Sequence, residues 1–400
     1  MDEPEWLPGL LRLLQKQNYR NFSLVVCVNQ PDNWWRDPAH ITSCENNAGS
    51  LAMLRKFSGC EVEVIDRSSL GAGWTGKRHG VGWARKTIMD HISEKANPTD
   101  IILSLDADTV FSETYFATVA ENILAHPMAT ALTIPYYHHL PDDQDAARAI
   151  LRYEIYMRYY VLNLWRIKSP YAFTALGSAM ALPVWSYRKV GGMTPKLSGE
   201  DFYFLQKVRK AGPLACWNRE KVFPAARFSS RVFFGTGPAM FRGAQGDWSS
   251  YPIYPYRLFD EISESYSQFP GIYLKPIETP VTKFLREQTG EADPFATMRK
   301  NSRDVQQFVR ACHEKFDGLR ILQYLKKRHQ EETGKDEDRF CEWLETFYST
   351  DAGCRIPDAG YRMPDKKKFS HNESSLEDLD RLRNFLSQEE DRVRKANPLL

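Results

Sequence analysis

Two short acidic segments carry the most chemistry in this chain. The first is Leu105-Asp106-Ala107-Asp108-Thr109, which directly follows the apolar run Ile101-Ile102-Leu103-Ser104. Such a run reads as a buried strand, and its C-terminal end is the edge at which open α/β sheets take ligands. Two carboxylates one residue apart at that edge can share a hard cation, which takes oxygen ligands and keeps positions for diphosphate oxygens. The alternative is a solvated turn, because Asp favours turns and D-x-D is common by chance.

The second segment is Gly199-Glu200-Asp201-Phe202-Tyr203-Phe204, preceded by Ala175-Leu176-Gly177-Ser178-Ala179-Met180 and Val190-Gly191-Gly192-Met193. Small residues let backbone and substrate approach closely, and the double glycine allows a sharp turn. Glu200 and Asp201 open a predicted helix, where the helix dipole favours a carboxylate. The same dipole also accounts for a plain helix cap.

Alternating strands and helices must position these segments. Apolar residues at helical spacing predict a helix over 6–18, with Pro8 tolerated in its first turn. Strands are predicted at Phe22–Val28, Val62–Ile65, Ile101–Leu105, 127–135 and around Ala179–Leu182. Helices are predicted at Val81–Ile92, 145–168 and Glu200–Lys210. Strand–helix alternation implies a parallel sheet with right-handed crossovers. From about residue 280 the pattern turns helical: Phe308, Cys312, Phe316, Leu319, Leu322 and Leu325 recur at helical spacing, and a second helix is expected near Phe340–Phe347. Residues 355–372 read as a linker, and Ser374-Ser375-Leu376-Glu377 as a capping box before Leu379 and Leu382.

The 53 basic and 51 acidic residues nearly balance, which argues against a dedicated nucleic-acid binder. The seven cysteines are scattered and form no C-x-x-C pair, which points to reduced thiols and away from a zinc site or disulfide framework. The acidic start lacks the basic-then-apolar order of a signal peptide, and no apolar run reaches the length of a membrane span. The expectation is a cytoplasmic protein without a transmembrane segment.

In this order, Gly80-Val81-Gly82-Trp83-Ala84-Arg85-Lys86, the D-A-D strand, Gly191-Gly192 and Gly199-Glu200-Asp201 resemble the inverting glycosyltransferases of the GT-A fold, commonly called family 2. The likeness covers roughly residues 6–240. The stretch Arg227–Gly237 sits where such enzymes often carry an arginine-bearing loop. Each motif is weak alone, but the ordered set is fairly specific.

The resemblance implies a Rossmann-like, mainly parallel central sheet flanked by helices over residues 1–245. It leaves a mainly helical extension over 246–354 and a linker with a C-terminal helix over 355–400. It implies that Asp106 and Asp108 handle Mg²⁺ or Mn²⁺ and the donor diphosphate and ribose, that Asp201 is the catalytic base, and that Glu200 supports it. Asn29 and Asp66 would face the nucleotide, Arg85 or Lys86 would help hold it, and Arg231 would approach the diphosphate. The implied partners are a nucleotide-sugar donor and a saccharide or lipid-linked acceptor. Such enzymes normally begin with a strand ending in a Pro-x-Tyr-Asn-like turn, and this chain opens just past that point. A sheet lacking its first strand is therefore expected.

Gly71-Ala72-Gly73-Trp74-Thr75-Gly76 matches G-x-G-x-x-G, but four residues separate it from the preceding strand and no helix follows at once, so a flexible substrate-side loop is favoured over a dinucleotide site. The helix at 145–168 mixes Tyr153, Tyr156, Tyr159 and Tyr160 with Arg148, Arg152, Arg158 and Arg166. A packed helix with snorkelling arginines is favoured there over peripheral membrane contact. His138-His139 reads as polar surface. Two rival functions stand beside transfer. One is a haloacid dehalogenase-type phosphatase, whose nucleophile strand Ile101–Val110 also resembles. The other is a sugar- or nucleotide-binding module without catalysis.

Overall fold

A computed structural model describes residues 3–76, 79–228, 236–348 and 370–400. Its early elements follow the apolar pattern. Helix α1 (Leu7–Lys16) holds Pro8 in its first turn and buries Leu7, Leu10, Leu11 and Leu14. Next come β1 (Ser23–Asn29), α2 (Ile41–Lys56), β2 (Glu61–Arg67), α3 (Val81–Lys95), β3 (Ile101–Ser104) and β4 (Thr109–Val110). They are followed by α4 (Tyr115–Ala125), β5 (Ala131–Thr133), α5 (Gln144–Arg166), β6 (Met180–Pro183), α6 (Val184–Lys189), α7 (Glu200–Ala211), β7 (Leu214–Ala215) and β8 (Phe223–Pro224). The described elements after β8 are helices: α8 (Thr236–Ala244), α9 (Tyr256–Leu274), α10 (Pro280–Thr289), α11 (Ala296–Asn301), α12 (Val305–Lys315), α13 (Gly318–His329), α14 (Asp336–Tyr348) and α15 (Leu376–Ala396).

The chain forms two compact units. The first comprises Met1–Ile150, Phe173–Arg242 and Arg394–Leu400, and the second Leu151–Ala172 and Gly243–Val393. The first unit is α/β, but its sheets are small and mixed rather than mainly parallel. Strands β1 and β2 pair in parallel as a two-stranded sheet. A four-stranded sheet runs β3-β6-β5-β7, in which β6 is antiparallel to both neighbours and only β5 and β7 run parallel. The physical reason lies in the connection. The connection from β5 to β6, which contains α5, returns the chain in the opposite direction, so the two strands pair antiparallel and not through a parallel crossover. The last residues of the chain extend this sheet, with Ala215 bridged antiparallel to Leu399 and the Leu214 and Leu400 backbones bonded in both directions. The apolar core gathers α1, α4 and the strands, including Leu14, Val28, Tyr115, Val119, Leu132 and Ala181.

In the second unit, α9 packs against α10, α12 and α13. The helical run from Phe308 to Leu325 is split in two, because the Asp317 side chain accepts from the Arg320 N–H and starts a new helix. The cap of α15 is shifted one residue from the expected box: Ser375 accepts from the Asp378 N–H. Arg152 and Arg158 of α5 do not snorkel. Arg158 is buried between Glu154 and Glu390, and Arg383 also reaches Glu154. Arg152 pairs with Asp336 at 2.7 Å. Charges taken this far from water must be paired to persist. Among the described residues no helix is long and apolar enough to cross a membrane. Six described cysteines are free thiols, and burial raises the Cys27 thiol to about 12. Cys354 and residues 355–369 of the expected linker lie outside the described residues.

Candidate functional site

The turn between β3 and β4 carries both aspartates of the D-A-D segment, closed by the Thr109 N–H donating to the Asp106 carbonyl at 3.2 Å. Strand β4 pairs antiparallel with β8 in the register Thr109↔Pro224. That register has a consequence three residues on: Arg227 comes back beside Asp108, with N–O at 2.7 Å. On the other side of the turn, α3 supplies Arg85. Its guanidinium lies 2.6 Å from Asp106 Oδ1 and also bonds Glu200 Oε1 at the start of α7. One arginine therefore ties together carboxylates that stand far apart in the sequence.

The close fit depends on two glycines. A Cβ at Gly177 would land on the Arg85 guanidinium, and one at Gly82 would strike the Lys196 carbonyl just ahead of α7. With hydrogen in place of a side chain, the loop before β6 lies on the arginine and α3 lies against the segment leading into α7.

Burial differs sharply across the cluster. The Arg85 side chain is 7% exposed and that of Glu200 4%, whereas Asp106 is 42% exposed. Burial alone would lower the Arg85 pKa, but Asp106, Glu200 and Asp201 together raise it, so this arginine stays charged. Asp201 is pushed up to about 7, by burial first and then by the neighbouring Glu200 charge. Its Oδ1 accepts from the Phe202 N–H at 2.8 Å. Asp108 is raised to about 6 by burial and by Asp106, against the pull of Arg227. A carboxyl that titrates near neutrality can take a proton from a reacting hydroxyl and later release it. Asp201 has that property.

The structure thus brings Arg85, Asp106, Glu200 and Asp201 into one electrostatic cluster, with Asp108 next to it. It does not bring in the other predicted residues. Lys86 pairs with Asp90 along α3 at 2.6 Å. Asp66 accepts from the backbone and hydroxyls of Ser68 and Ser69, which outweigh its burial and lower its pKa. Asn29 is buried at the end of β1, and its Oδ1 has no hydrogen-bond partner among the described residues. Arg231 lies outside the described residues.

Two expectations near the site are corrected. His138 is 1% exposed, so it is core rather than surface, while the exposed His139 stacks on Phe223 at 4.6 Å. The glycine-rich stretch at 71–76 does not stand free. Trp74 exchanges backbone bonds with Gln30 and Asp32, and the Gly71 N–H donates to the Asp32 carboxylate at 2.7 Å.

Arg227 opens the arginine-bearing stretch, and sequence reasoning points to Arg231 in its place. The signal that could have found Arg227 is the strand pairing, because Phe223-Pro224 is an apolar pair followed closely by an arginine.

The donor set bears on a metal ion. Among the described residues no group of three or more His, Cys, Asp or Glu side chains could hold one. Mg²⁺ is commonly bound through one or two carboxylates, with ligand phosphates and water completing the shell. The residues present fit that pattern: Asp106 bonds Arg85 through Oδ1 alone among the described residues and is well exposed, and Asp108 stands beside it. No protein-family model matches the chain, and a search of curated proteins finds no match.

Proposed function

We propose that this chain is an inverting glycosyltransferase that moves a sugar from a nucleotide-diphosphate sugar to a hydroxyl acceptor. The observation that carries the reading is the Arg85 bridge, which places the D-A-D turn and the Glu200-Asp201 helix start in one site. The GT-A assignment rests on the same ordered motifs. Direct displacement at an anomeric carbon needs a base for the acceptor proton and a positive group for the leaving diphosphate. Asp201, raised to about 7, is the base. Glu200 is held by Arg85 and keeps the start of α7 in place. Asp106 and Asp108 would hold Mg²⁺ or Mn²⁺, which when bound supplies positive charge to the diphosphate oxygens. Arg227, which bonds Asp108, supplies a second positive group beside the same oxygens.

A thermal-shift titration tests this. UDP or GDP should raise the melting temperature only with Mg²⁺ or Mn²⁺, since carboxylates alone repel a diphosphate. At about 100 times Kd the gain is about 2.7 kcal/mol. Asp106→Ala with Asp108→Ala should abolish the shift, and an unchanged shift would refute the metal assignment. Hydrolysis of a phosphomonoester through a phosphorylated Asp106 would instead favour the phosphatase reading.

A further inference from the structure

The Arg227 guanidinium is already engaged with an anion supplied by the protein. Glu3, in the segment before α1, accepts from its Nη2 through both carboxylate oxygens, at 2.9 and 3.0 Å. The same nitrogen bonds Asp108 Oδ2 at 2.7 Å, and the guanidinium carbon lies 5.4 Å from the Trp6 ring centroid. The side chains of Arg227 and Glu3 are 27% and 22% exposed, so solvent reaches this contact from one side.

Arginine donates to carboxylate and phosphate oxygens alike, so one anion can replace the other. The three members of the contact differ in how firmly they are anchored. Asp108 directly precedes β4 and Arg227 follows β8 by three residues, whereas Glu3 lies outside any strand, with its backbone carbonyl tied to the start of α1 by the Trp6 and Leu7 N–H groups. Glu3 is the one that can leave without breaking a strand.

We propose that Arg227 is a phosphate-class anion site and that Glu3 is its internal stand-in, an autoinhibitory contact that an entering phosphate must displace. Trp6 flanks the site and covers one face of the guanidinium. The inference rests on the proposed function only in placing the ligand's phosphates beside Asp108, and it requires no sugar transfer. When Glu3 swings out, its negative charge leaves the neighbourhood of Asp108, so the incoming phosphate exchanges one anion for another. An intramolecular competitor lowers apparent affinity by the fraction of molecules in which the site is open. A partly exposed ion pair of this kind sets that factor at about three- to fivefold.

The test is titration calorimetry of the full chain with inorganic pyrophosphate in the presence of Mg²⁺, on the parent, Glu3→Gln and Arg227→Gln. Expected is binding about three- to fivefold tighter for Glu3→Gln and lost or strongly weakened for Arg227→Gln. Melting temperatures of both variants close to the parent's would exclude unfolding as the cause, and Arg227→Lys serves as the milder variant should Arg227→Gln not fold. Unchanged or weaker binding by Glu3→Gln would overturn the stand-in role. Parent-like binding by the Arg227 variant, or no binding by any of the proteins, would overturn the site. Pyrophosphate carries neither base nor sugar. Failure of the transferase reading therefore appears separately, as absence of donor turnover with these affinities intact.

Discussion

Replacing Arg85 with Met keeps the aliphatic stem and removes the charge that joins the two halves of the site. The two ion pairs that it breaks belong to different regimes. Glu200 is 4% exposed and Arg85 7%, so the variant strands a buried carboxylate. Removing one partner of a buried pair costs about 3–5 kcal/mol. A Coulomb term of about 4 kcal/mol at 4 Å and an effective dielectric of 20 is of the same size. Asp106, at 42% exposure, can turn to water, and its half of the interaction should cost only about 0–1 kcal/mol. Arg85→Met should therefore lose about 3–5 kcal/mol, almost all of it through Glu200. The assay is a double-mutant cycle by urea unfolding on Arg85→Met, Glu200→Gln, Asp106→Asn and the two pairs with Arg85. Coupling should be about 3 kcal/mol or more for Arg85–Glu200 and below about 1 kcal/mol for Arg85–Asp106. Equal couplings, or a total loss under about 1 kcal/mol, would refute the claim that burial decides which pair matters.

Other expectations follow from the same geometry. Asp201→Asn should bind donor normally and lose transfer by about 10²–10⁴-fold, measured as single-turnover rates; a parent-like rate, or a product that retains the donor's anomeric configuration, rules out this base. Parent activity should fall as pH drops through about 7, where Asp201 takes up its proton. The stability effect has the opposite sense. The pKa of Asp201 is raised in the folded state, so its penalty is fully present above about 7 and is relieved as pH falls toward the ordinary carboxylate range. Asp201→Asn should accordingly melt higher than the parent at pH 8, with the gap closing on acidification in calorimetric scans. Gly177→Ala would push its methyl into Arg85, a residue pinned by two carboxylates, and should cost about 1–3 kcal/mol by chemical unfolding. Glu154→Gln in the second unit removes one of the carboxylates that face Arg158 and Arg383 while Glu390 and Asp380 remain, and should lower stability by about 1.5–3 kcal/mol and speed amide exchange in α15.

Much of the first unit was legible in the residues. Strands β1, β2, β3 and β6 and helix α1 lie where apolar periodicity puts them, because each buries one face or one short run against the same apolar core, and α3, α5 and α7 also lie at their predicted positions. Helix α2 gave no such signal: Ile41–Lys56 mixes Asn, Ser, Cys and Gly, and only Cys44, Asn47, Ser50, Leu51 and Leu54 are buried. Strand direction was not legible either, since periodicity is the same whichever way a strand runs. Within the site, local sequence marked Asp106, Asp108, Glu200 and Asp201 as carboxylates at a strand end and a helix start. It could not reveal that Arg85 pairs with Asp106 and Glu200, that Lys86 turns to Asp90, or that Arg227 and Glu3 meet at Asp108. Those facts depend on helix rotation, strand register and the room left by Gly82 and Gly177. Spacing along the chain fixes which residues share a face. Only packing decides which faces meet, and an ion pair across 115 positions, such as Arg85 with Glu200, exists only once they do.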